Sequence, residues 1–85
     1  MISEEIILDT RELEAPEPMG LVLHNLKLLD ENKYILMIHR LEPLMLYTHL
    51  EQNSLQYKVI FKDDDVYIYI WHHLFHEKTK LEELS

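Results

Sequence analysis

The stretch LQYKVIFKDDDVYIYIWH, residues 55–72, decides the fold. Its first half sets Leu55, Tyr57, Val59 and Phe61 against Gln56, Lys58, Ile60 and Lys62, the alternation of a half-buried strand. Its second half sets Val66, Ile68 and Ile70 against Tyr67, Tyr69 and Trp71. Asp63-Asp64-Asp65 between them supplies turn residues, so the two strands form a hairpin. Both rows of the second strand are apolar, and only one of them can face a layer of helices.

Upstream, KYILMIHR (residues 33–40) is rich in β-branched and aromatic residues and apolar on both faces, which predicts a central strand. Before it, Met19, Val22, Leu23, Leu26 and Leu29 recur at i, i+3, i+4, i+7 and i+10, one face of a helix. Pro18 suits the start of that helix, where a missing N–H costs nothing. Glu42-Pro43 repeats the start signal; Leu46, Tyr47 and Leu50 form the second helix's inward stripe, which ends near Asn53-Ser54. Glu5–Leu8 reads as a short first strand. The expected order is β-α-β-α-β-β: an α+β, two-layer α/β sandwich whose four-stranded mixed sheet carries two helices on one face. Residues 1–85 are expected to form one domain, with residues 76–85 a flexible tail or a frayed helix.

Composition narrows the function classes. The 85 residues are 47% hydrophobic and 28% charged, with 16 acidic against 8 basic side chains, a net charge of −8. The eight basic residues are scattered singly, which disfavours a nucleic-acid backbone as partner. With no cysteine, thiol nucleophiles, disulfides and thiolate metal sites are excluded. No apolar run approaches the roughly 20 residues that span a bilayer, and Glu4 and Glu5 stand where a secretory signal carries bases. A cytoplasmic location follows as the expectation. No serine or threonine has the context of an activated nucleophile, so a binding module is favoured over an enzyme.

The stretch LDTRELEAPEP, Leu8 to Pro18, resembles the opening signature of the TusA/SirA-like sulfur carriers, L-D-x-R-x-L-x-C-P-x-P. It is still more similar to an uncharacterised bacterial branch of that superfamily, in which the cysteine is commonly absent and a His-x-x-x-Pro element opens the second helix. Here that element is His39-Arg40-Leu41-Glu42-Pro43. The resemblance implies the same β-α-β-α-β-β fold and shared partners. It argues against shared chemistry, because Ala15 stands where a carrier holds its persulfide. The implied function is a non-enzymatic protein-interaction module in redox, sulfur or metal handling, with no cofactor.

Three candidate sites follow from the residues. Arg11, Glu17 and His39 are expected where the first two strands deliver their carboxyl ends beside a helix start, a place suited to a small ligand; the plainer alternative is that Arg11 pairs with Asp9 or Glu17 and pins the loop. His72, His73 and His76 have the i, i+4 spacing of a zinc half-site only if that segment is helical. Tyr67, Tyr69 and Trp71 are expected to line an open sheet face and to bind a protein partner or a second copy, unless the tail folds back over them.

Overall fold

The computed structural model describes residues 3–84, so the tail is followed as far as Leu84. Its elements are β1 (Glu4–Asp9), α1 (Glu17–Leu26), β2 (Lys33–His39), α2 (Leu44–Gln52), β3 (Leu55–Lys62), β4 (Asp65–His72) and α3 (Lys78–Glu82). The strands form one mixed sheet in the order β1-β2-β4-β3. β1 pairs parallel with β2, and β4 pairs antiparallel with both β2 and β3. The doubly apolar Lys33–His39 is thus an interior strand, as its composition requires.

Register explains the core. Ile35 lies opposite Ile70 and Met37 opposite Ile68, so the small branched side chains of β4 share a face with alternate residues of β2. Val22 from α1 and Leu46 and Leu50 from α2 pack on that face with Leu8, Ile35, Met37, Val66, Ile68 and Ile70, all buried. Each such side chain contributes about 1.5–3 kcal/mol on leaving water. Both long helices therefore cover one face, which is the expected two-layer arrangement.

The local signals act where the sequence puts them. Glu17 opens α1 with Pro18 second, one residue earlier than the proline alone suggests. α2 begins directly after Pro43. The β3–β4 hairpin closes on the Lys62–Asp65 pair, so its loop is only Asp63-Asp64. Both have positive φ, 52° and 68°, the sign required at the two central positions of a type I′ hairpin turn and one that aspartate tolerates.

The outer face differs from an open sheet. After β4 the chain turns at His72–Phe75, where the Phe75 N–H donates to the His72 carbonyl, and α3 follows. Phe75 and Leu81 pack with Trp71, and Tyr34, Tyr69 and Leu84 complete this second cluster. Trp71 is 2% exposed, and its indole N–H donates to Gln56 Oε1 at 2.7 Å. Of the two outcomes the sequence leaves for this face, the folded-back tail is the one adopted at Trp71. It follows that Trp71 is a core residue and not a surface anchor.

Candidate functional site

The carboxyl ends of β1, β2 and β3 and the start of β4 lie at one pole of the sheet, together with the starts of α1 and α2. Thr10, fully buried, is the hinge of this pole. Its N–H and its hydroxyl both donate to the Ile38 carbonyl, at 2.8 and 2.9 Å. His39 Nδ1 lies 3.0 Å from Thr10 Oγ1 and 3.2 Å from the Thr10 carbonyl oxygen. Because the hydroxyl proton is already given to Ile38, both Thr10 oxygens face His39 as acceptors, and Nδ1 must carry the proton. In the neutral ring Nε2 is then a bare acceptor on the opposite edge.

A cavity of about 150 Å³ opens beside this ring. Buried Met37, Leu46 and Pro18 and half-buried Met19, Pro43 and His39 line it, with Ala15 and Pro16 exposed at its edge. His39 is its one titratable side chain. A second depression, about 380 Å³, shares Ala15 and His39 and continues to Leu13, Glu14, Arg40 and Leu41. A third joins Arg40–Glu42 to the hairpin residues Phe61–Val66. Around these hollows Leu41, Leu44, Met45 and Phe61 are 74%, 64%, 80% and 65% exposed.

A family model described as "Uncharacterized conserved protein (DUF2249)" matches residues 7–73. The chain belongs to this family. The DUF2249 match takes in the whole pole and nearly all of the sheet, and it stops before Phe75 and α3. No curated protein and no solved structure gives a significant match.

Of the three residues expected together in the DUF2249 domain's strand-end site, only His39 reaches the cavity. Arg11 turns away: its Nε and Nη2 donate to both carboxylate oxygens of Asp9, at 2.9 and 2.7 Å, and its Nη1 donates to Asp65 at 3.0 Å. The side-chain hydrogen bonds from Arg11 hold the Asp9 carboxyl below the usual carboxylate range. This is the loop-pinning alternative, with Asp9 as the partner and Asp65 added across the sheet. Glu17 is exposed at the first turn of α1 and lines none of the hollows described above.

The C-terminal histidines do not converge. β4 runs through His72, so the helical spacing that would align His72 with His76 is not realised. The His72 and His73 rings stack at 4.3 Å, His72 Nδ1 accepts the Leu74 N–H at 3.1 Å, and His76 Nε2 meets Ser3 Oγ at 3.2 Å. Among the described residues no group of three or more histidine, aspartate or glutamate side chains is placed to hold a metal ion. On the outer face, the tail leaves Ile7 57% exposed, with Ile38, Ile60, Tyr67 and Tyr69 half-buried.

The apolar rim at the pole is absent from the sequence reading. Leu41 and Leu44 flank the Glu42-Pro43 pair and Met45 precedes the inward Leu46, so these residues lie off the buried stripe. That displacement is the signal that identifies them.

Proposed function

We propose that the chain is a cytoplasmic, non-enzymatic protein-interaction module of the sulfur-carrier fold, without the persulfide residue, and that it docks its partner through the apolar pole. The observation that carries this reading is the exposure of Leu41, Leu44 and Met45 beside the cavity edged by Ala15. Contiguous apolar surface on a small chain marks an interaction site more often than scattered single residues do. Ala15 sits at the head of α1 where the TusA/SirA resemblance places the reactive cysteine, so this reading keeps the carrier's docking position and omits its chemistry. Two features support the non-enzymatic part: the cavity lining around His39 is apolar, and the Thr10 hydroxyl beside the ring is fully buried and given to the Ile38 carbonyl. Redox, sulfur or metal handling is the setting that the resemblance suggests.

The remaining outer patch around Ile7, Ile38, Ile60 and Tyr67 is the second reading, a narrower form of the expected sheet-face interface for a partner or a second copy. A photo-crosslinking side chain placed at Met45 in one variant and at Tyr67 in another discriminates the two in the native host. Capture from Met45, abolished by Leu44→Lys in a chain with unchanged circular dichroism, supports the pole. Capture from Tyr67 alone overturns it.

A further inference from the structure

We propose that the cavity beside His39 is an anchor pocket for a tyrosine side chain carried on a basic stretch of the partner. This inference rests on the docking reading above and names the chemistry of its occupant. Three observations converge on it.

The first is size and lining. A cavity of about 150 Å³ matches one known to hold a single six-membered ring, and Met19, Met37, Leu46 and the prolines offer such a ring apolar and thioether contacts. The second is polarity. With Nδ1–H committed to Thr10, the neutral His39 ring presents Nε2, for which no hydrogen-bond partner occurs among the described residues. An occupant that covers Nε2 must therefore bring a donor. A phenylalanine leaves Nε2 unpaired, a carboxylate brings only acceptors, and a serine leaves the apolar walls unfilled; a phenol satisfies both demands. The third is charge. Glu14, Glu17, Glu42, Asp63 and Asp64 are exposed around the pole, whereas Arg11 is already engaged by Asp9 and Asp65, leaving Arg40 and Lys62 to oppose them. A partner with lysines or arginines flanking its tyrosine complements this rim, while a second copy of a chain of net charge −8 does not.

Phenol and toluene, titrated separately into the full chain at mildly alkaline pH, test the pocket. The Met19 and Met37 methyl signals and the His39 ring nitrogens report binding by NMR. Both probes should shift the methyl signals, and only phenol should move Nε2. In His39→Leu the ratio of phenol to toluene affinity should fall about tenfold, the worth of one hydrogen bond into an apolar site. An Nε2 resonance in the wild-type chain that ignores phenol overturns the assignment without recourse to any variant. Short peptides with lysine on both sides of a central tyrosine or phenylalanine, and a tyrosine peptide flanked by glutamate, identify the source. Preference for the lysine-flanked tyrosine supports the proposal. Phenol discrimination with no preference among peptides overturns the tyrosine in favour of a free phenolic molecule. Failure of the Met45 crosslink while phenol still discriminates defeats the docking reading and leaves the pocket chemistry standing, so the two failures are distinguishable.

Discussion

Replacing Phe75 by alanine tests the feature that most changes the picture drawn from sequence, the closed outer face. Phe75 is 2% exposed, with the Tyr34 and His76 rings each centred 5.5 Å away and Trp71 and Leu81 in the same cluster. Truncating a buried phenylalanine costs about 3–5 kcal/mol. An 85-residue chain at about 0.05–0.15 kcal/mol per residue holds roughly 4–13 kcal/mol in all, so the loss is a large share of the total. It is capped, however, because the tail detaches once staying docked costs more than leaving, and the lower end of the range is expected. A loss of 3 kcal/mol lowers Tm by roughly 12–24 °C for a domain of this size. The chain's single tryptophan, Trp71, lies in the cluster and reports its opening directly. Thermal melts of wild type and Phe75→Ala, followed by circular dichroism and by fluorescence, should show the lowered Tm and a red-shifted Trp71 emission that begins before the sheet melts. A Tm within about 4 °C of wild type with unchanged emission would refute the assignment of Trp71's burial to the tail.

Thr10→Val should cost about 1 kcal/mol by removing the buried hydroxyl that donates to Ile38, and the His39 ring nitrogens should show by NMR a loss of the single tautomer. Glu77 is held down to about 2 by its side-chain hydrogen bonds from Lys80 and Ser3. Its folded value being depressed, the stabilisation is present above the ordinary value of 4.5 and fades as pH falls from there toward about 2; Trp71 emission should shift across that window in wild type and not in Glu77→Gln, with a small, salt-sensitive amplitude because Glu77's partners are held at the surface. Pro43→Gly should lower stability in urea titrations by about 0.4–1 kcal/mol through the entropy of the unfolded chain, whereas Pro18→Gly should cost more, because Pro18 is also buried in the cavity wall.

The alternation carries into β4 position by position and into β3 only in part, where Phe61 of the inward row is 65% exposed and Ile60 of the other row is half-buried. Val66, Ile68 and Ile70 meet the helices, and Tyr67, Tyr69 and Trp71 point the other way, because a period of two leaves a strand with one buried face no freedom of register. The cover on the far face is not legible in the same manner. Phe75 and Leu81 are separated by the polar run His76–Lys80, and a five-residue helix is too short to print a stripe. The pole was half legible. Strand ends beside helix starts predict a hollow, and His39 is found there; the Arg11–Asp9 pair is legible from two residues' separation, but Arg11's second partner, Asp65, lies 54 residues away, and the state of His39 depends on Thr10, 29 residues away. Such long-range partners leave no local pattern. The exposed Leu41, Leu44 and Met45 escape notice because apolar residues are common on surfaces as well as in cores.

The sheet order β1-β2-β4-β3 has a consequence for how the chain emerges during synthesis. β4 is the fourth strand in the chain yet occupies an interior place, pairing with β2 on one side and β3 on the other. When residues 1–62 have left the ribosome, β1 and β2 can pair, but β3 has no neighbour and the buried faces of α1 and α2 lack Val66, Ile68 and Ile70. Closure waits for a strand that inserts between two others already made. The nascent chain therefore carries its apolar surface uncovered until β4 is out, and the tight Asp63-Asp64 turn shortens that interval by joining β4 to β3 through the most local pairing in the fold.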